Sequence, residues 1–293
     1  MKSQNFTIVI SFFCIWLTGY FSEQIQLLSA FLLIITFGIL HGSNDIVLLN
    51  KINKKAASYS INRVLTSYVL VVLGTVLLFY FIPALALLVF VLISSYHFGE
   101  QHWNKKFDFK NVYIIKLYQF LYGFLILLLL FSCQTHEVKK VVFEISAVTL
   151  FDGAIYSTTA LVLLLVLITS FYFYTIDANF KKNAIQEAFY LLLFVIIFKL
   201  TTLIWGFAIY FIFWHSIPSL IDQVYYLYGN WSFSTFLLYC KSAFWYWIIS
   251  IAGIATLYFT LGEKDLFEGL FFSFLAAVTF PHVMVIITMN KVK

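Results

Sequence analysis

The sequence predicts an all-α polytopic membrane protein of about ten transmembrane helices, with both termini on the cytoplasmic side. Three observations carry that expectation. The chain is 62% hydrophobic and only 11% charged, whereas soluble domains carry about 25% charged residues. Apolar stretches of bilayer-crossing length, about 17–25 residues, recur along all 293 positions. The cationic residues, finally, fall mostly on alternate connections, as the positive-inside rule requires.

The expected spans are 5–22, 25–49, 64–82, 84–103, 113–133, 156–176, 184–201, 203–222, 236–261 and 267–289. The first, "FTIVISFFCIWLTGY", lacks a small-residue cleavage site and is followed at once by another apolar run, so it reads as a helix and not a secretion signal. Pro83 separates the third span from the fourth, Gly229-Asn230 precedes the ninth and Gly262 follows it. No stretch suits a separate soluble domain, so residues 1–293 are expected to form a single integral-membrane domain. Cys14, Cys133 and Cys240 have no paired metal-binding spacing and read as packing residues. The net charge of +5 is spread over loops, which argues against a nucleic-acid surface.

With the N-terminus inside, 14 of the 18 Lys and Arg lie on the inner side and only Lys139, Lys140, Lys199 and Lys264 on the outer. A miscounted helix would invert every assignment after it and scramble this bias. The membrane expected is the inner, plasma membrane.

That orientation gives the histidines a common depth. His41, His97, His215 and His282 each lie late in an even-numbered span, and all even-numbered spans run from outside to inside. His41, His97 and His282 precede Lys51, Lys105 and Lys291 by ten, eight and nine residues. At about 1.5 Å per residue that is roughly 12–15 Å, about half of a ~30 Å hydrocarbon layer. His136 falls in an outer loop and stands apart.

An ionisable side chain inside a membrane marks a functional site by default. Neutral imidazole binds iron, zinc, copper or nickel, and a set of histidines without ligating carboxylates leaves the ion's charge intact. His41, His97, His215 and His282 are therefore candidate metal ligands. Asp45 is four residues past His41 and suits a hydrogen bond to the second ring nitrogen of a ligand histidine. Glu100 and Gln101, three and four past His97, suit the same role. His102 is five past His97, about 140° further round the helix, so it lines the site without sharing the ion. Ser219 and Asp222 follow His215 by one and two turns, and Pro218 and Pro281 are placed to kink the helices beside His215 and His282.

"HGSNDIVLL", "SSYHFGEQHW", "FIFWHSIPSLIDQ" and "FPHVMV", in this order across ten expected spans, resemble the Brp/Blh family of membrane-embedded beta-carotene 15,15'-dioxygenases. The resemblance covers nearly the whole chain. It implies an iron(II) enzyme that uses molecular oxygen to cleave beta-carotene at its central double bond, giving two all-trans-retinal for a microbial rhodopsin. Matched motif by motif, the family's iron ligands fall on His41, His97 and His215. Some members carry a further histidine one turn after the "WHS" histidine, where this chain has Ser219; His282 is the candidate replacement. Beta-carotene and oxygen both partition into hydrocarbon, which fits a site in the lipid layer.

Four other readings compete. A transporter with a histidine relay would distribute polar groups along its path, not at one depth. A two-iron desaturase needs more histidines at closer spacing. A rhodopsin needs a buried lysine, and Lys199 sits at an outer helix end, where it would snorkel. An inactive accessory protein of the same fold would share every motif, and the Ser219 departure keeps it in view.

Overall fold

The computed structural model describes residues 2–56, 61–104, 106–261 and 264–292. Gly262, expected to end the ninth span, and Lys105 and Lys293 of the charge count lie outside them. The described residues are helical, with no strand among them. In chain order the elements are α1 (Lys2–Thr18), α2 (Glu23–Leu33), a π-helical stretch (Ile34–Gly38), α3 (Ile39–Gly42), α4 (Asp45–Ala56), α5 (Ile61–Phe81), α6 (Pro83–His102) and α7 (Val112–Cys133). Then follow α8 (Thr135–Ser146), α9 (Asp152–Ile176), α10 (Ala178–Leu200), α11 (Leu203–Ile209), a second π-helical stretch (Tyr210–Ser216), α12 (Ile217–Tyr228), α13 (Phe233–Leu261) and α14 (Lys264–Val292).

Among the described residues, eight helical segments are long and apolar enough to cross a membrane, and Asn5–Thr18 and Leu65–Phe81 are shorter apolar helices. Each of the ten expected spans overlaps one of these. α8 was not expected. Its 12 residues carry Glu137, Lys139, Lys140 and Glu144 beside buried Val138 and Val141, an amphipathic pattern that hydropathy alone reads as a loop. The π-helical stretches were not expected either, because hydropathy cannot tell an i→i+4 from an i→i+5 hydrogen-bond ladder. Pro218, expected to kink a helix, sits in the first turn of α12 directly after the second stretch. It has no N–H to return to Trp214, and the wider π turn ends where that bond would be missing.

Helix ends follow from local chemistry. Asn111 caps α7, accepting from the backbone N–H of Tyr113 at 3.1 Å and Ile114 at 3.4 Å. Asp177 caps α10 through Phe180 N at 2.8 Å, and its other oxygen accepts from Asp108 N and Phe109 N at 2.9 and 2.8 Å. One buried carboxylate thus holds two chain reversals. Gly229 ends α12 with a left-handed φ of 84°, the conformation glycine adopts without a steric cost.

The chain divides into two compact units. The first comprises Met1–Leu32, Val91–Lys140 and Thr149–His215, and the second Leu33–Phe90, Val141–Val148 and Ser216–Lys293. In the first, α7 packs on α9 and α10 around a dense aromatic core in which Trp103 stacks on Phe180 at 5.0 Å. The contact of α6 with α7 there is closer than side chains permit. A Cβ on Gly99 would lie 1.7 Å from the Gln119 carbonyl oxygen, and one on Gly123 would lie 1.9 Å from that of Ser95. Ser95 and Gly99 form the small-x-x-x-small spacing that lets membrane helices meet backbone to backbone. In the second unit α14 packs on α4 and α5, burying Leu48, Ile52, Tyr226, Val285, Ile286 and Met289.

A backbone oxygen cannot retreat as a side chain does, so a bulky residue at this crossing costs more than the about 1–3 kcal/mol of ordinary overpacking. Gly99→Leu and Gly123→Leu are each expected to abolish the monodisperse peak of detergent-solubilised protein in size-exclusion chromatography. Gly74→Leu, where an added Cβ meets nothing within 4 Å, should leave that peak unchanged.

Candidate metal centre

The four candidate ligand histidines are all buried and stand as two pairs, one in each compact unit. In the second unit the His41 and His282 rings lie 4.8 Å apart, their planes at 85°. His41 belongs to α3, directly after the first π-helical stretch, and its Nδ1 contacts the carbonyl oxygen of Gly38. A carbonyl only accepts, so Nδ1 carries the proton and the lone pair is at Nε2. His282, next to Pro281 in α14, places Nδ1 2.7 Å from Asp45 Oδ1. A carboxylate also only accepts, so His282 donates from Nδ1, and Nε2 is its nitrogen for a metal bond. The other Asp45 oxygen accepts from the Tyr68 hydroxyl at 3.2 Å.

Asp45 therefore meets His282 from α14, not His41 of its own neighbourhood. His41 is steadied through its backbone, since Tyr239 donates its hydroxyl to the His41 carbonyl at 3.1 Å and to Gln223 Oε1 at 2.8 Å. Gln223 in turn donates to Ser219 Oγ at 3.2 Å. Ser219, one turn past His215, is buried in this network. Asp222 is half-buried on α12.

In the first unit the His97 and His215 rings lie 4.6 Å apart with planes at 77°. His215 sits in the second π-helical stretch, with Phe211 stacked on it at 5.6 Å and the Phe98 ring tilted against it at 4.6 Å. Gln101 Nε2 donates to the His215 backbone carbonyl at 2.9 Å, so Gln101 holds the chain that carries this ring, and not a ring nitrogen. On the other side Trp214 donates its indole N–H to Ser11 Oγ at 3.0 Å. Glu100 is half-buried on α6.

His102 belongs to a separate group. Its Nε2 lies 2.5 Å from Glu187 Oε2, Lys106 Nζ lies 2.7 Å from Glu187 Oε1, and the Tyr122 hydroxyl donates to Oε2 at 3.1 Å. Glu187 was missed in the sequence. The signal was present in "AIQEAFYLLLFVIIF", where a carboxylate enters an apolar run. Tyr68 and Tyr239 were missed too, and nothing in their local sequence marks them.

Among the described residues, no three His, Cys, Asp or Glu side chains form a ready metal-binding group. The pairs nevertheless suit a metal in kind. With a nitrogen–metal bond of about 2.1 Å, two ring centres on one ion at right-angle to tetrahedral spacing are about 4.6–5.3 Å apart. Both pairs fall in that range. Any edge-to-face ring pair can adopt this spacing, so the stronger point is chemical. His41 and His282 each turn Nδ1 to a fixed acceptor, the Gly38 carbonyl and the Asp45 carboxylate, which orients Nε2 of both rings for a metal bond, and a carboxylate behind the ring is the usual partner of a ligating histidine.

Fold and site describe a polytopic helical membrane protein with paired buried histidines. The chain belongs to the beta-carotene 15,15'-dioxygenase family, whose model matches residues 32–290 and so includes all four histidines. No curated protein and no solved structure matches it.

Removing the Glu187 carboxylate would leave His102 and Lys106 without their acceptor in a buried setting. Glu187→Ala is expected to cost about 3 kcal/mol, read as a lowered melting temperature of the detergent-solubilised protein, with Glu187→Gln falling between it and wild type.

Proposed function

We propose that the protein is an iron(II)-dependent dioxygenase that cleaves beta-carotene at the central 15,15' double bond, giving two all-trans-retinal. The observation that carries this reading is the family match across residues 32–290, joined to buried histidines on α3, α6, α14 and the second π-helical stretch. The overall change balances without a reductant or a base: one carbon–carbon double bond and one O2 become two carbon–oxygen double bonds.

His41, His97, His215 and His282 would hold the iron, with Asp45 keeping the His282 Nε2 lone pair available. Bound iron(II) supplies the activation of O2 toward a carbon–carbon double bond. The remaining work belongs to the polypeptide. Apolar and aromatic side chains around the histidine pairs exclude water and accept a hydrocarbon polyene from the lipid. Holding that polyene in one register selects one double bond among near-equivalent neighbours. The enzyme would lie in the inner, plasma membrane with both termini cytoplasmic and pass retinal to a microbial rhodopsin.

In cells that make beta-carotene, expression should bleach the orange colour and yield retinal by chromatography. Apocarotenals from off-centre cleavage, or metal-dependent transport into vesicles without iron retention, would overturn the reading. His41→Ala, His97→Ala and His215→Ala should each lower retinal formation at least about 100-fold and empty the purified protein of iron. His282→Ala should weaken both, and Asp45→Ala should cut iron retention about 10–100-fold. Full activity in His282→Ala would remove it from the ligand set.

A further inference from the structure

Many serine and threonine hydroxyls on the helices of this protein bond back to the carbonyl one turn earlier. Ser95 does so to Val91 at 2.6 Å, Ser11 to Thr7 at 2.8 Å and Thr279 to Leu275 at 2.7 Å. Two buried serine hydroxyls among the described residues depart from this pattern: Ser216, which follows His215 in the chain, and, on the same helix face as His97, Ser94. Ser94 is 2% exposed, and its Oγ is buried without a hydrogen-bond partner among the described residues. A buried hydroxyl left without a hydrogen bond is costly, and the carbonyl that would satisfy Ser94 lies one turn away in its own helix. A hydroxyl kept from that bond is available to something that visits.

Its place says what visits. Ser94, His97 and Gln101 are spaced i, i+3 and i+7 on α6, which puts all three within about 60° on one helix face. His97 is the middle residue of that face and touches His215. Gln101 spends one of its two amide N–H groups on the His215 carbonyl, and its Oε1 has no partner among the described residues. Ser94 is thus the residue of this face with an O–H donor to give. The other unpartnered donor on this stretch, Trp103 Nε1, is nine residues on, about 180° round the helix, where its ring packs against Tyr118, Tyr122 and Phe180.

We infer that Ser94 is a product-binding residue whose hydroxyl donates to the aldehyde oxygen of retinal. This rests on the function proposed above. The substrate is a pure hydrocarbon and can neither give nor take such a bond, whereas each product molecule ends in a new carbonyl acceptor formed where the double bond was. The hydroxyl therefore discriminates product from substrate. It holds the aldehyde end of one product near His97, and it has no part in binding beta-carotene.

The test uses purified detergent-solubilised protein as isolated and held without oxygen, with all-trans-retinal and its hydrocarbon analogue, which carries a methyl in place of the aldehyde. Ser94→Ala should weaken retinal binding about 3–10-fold, as loss of one neutral hydrogen bond does, and leave the analogue unchanged. The carbonyl stretch of bound retinal in Raman spectra should move to higher wavenumber in Ser94→Ala and return in Ser94→Thr. Equal weakening for both ligands, or an unchanged carbonyl stretch, would overturn the inference. Wild-type protein that binds retinal no better than the analogue would overturn it too. None of these outcomes touches the coexpression assay, so retinal formation in cells judges the enzymatic reading separately.

Discussion

The backbone contact between α6 and α7 is the constraint on which the first compact unit depends. Gly99 and Gly123 let a peptide of each helix meet the other with no side chain between them. In lipid, where apolar surfaces gain nothing by leaving hydrocarbon, close van der Waals contact of this kind is what holds helices together. The contact sits within α6 between the residues that carry the chemistry. Ser94 and His97 precede Gly99, and Gln101 and His102 follow it. Fixing α6 at that point fixes the height and rotation of all four.

The two π-helical stretches are the second device. One ends three residues before His41 and the other contains His215. A π turn inserts an extra residue into the helical ladder and rotates everything beyond it, which re-aims an imidazole without breaking the backbone hydrogen bonds that a membrane demands. Each is braced from outside its own helix. Trp247 donates to the Ile35 carbonyl at 2.8 Å, while Gln101 and Ser11 hold His215 and Trp214. α1, which supplies Ser11, lies before the region that the family model matches. It contributes to the setting of His215 all the same.

Polar groups inside the helices are handled in pairs and chains. Asp45 answers His282 and Tyr68, Glu187 answers His102, Lys106 and Tyr122, and Tyr239 joins Gln223 to the His41 backbone. In a medium without water an unanswered donor or acceptor is costly. The few groups left open therefore stand out against this background, and Ser94 is informative for that reason.

The sequence by itself determined the class of protein, because an apolar run of crossing length and the distribution of Lys and Arg are properties of the chain that no packing can alter. It also determined which imidazoles sit deep in helices, since the position of His41, His97, His215 and His282 within their apolar runs is a matter of counting. Only the tertiary structure decided the partners. Asp45 was expected beside the second nitrogen of a ligand histidine, and packing of α14 against α4 made that histidine His282. Gln101 was expected at a ring nitrogen and instead reaches the His215 carbonyl from across the α6 face. His102 was placed among the site residues, and a carboxylate on α10, 85 positions away, holds it. Hydropathy and spacing report only on neighbours within a turn or two, whereas these bonds join residues whose separation along the chain carries no local signal.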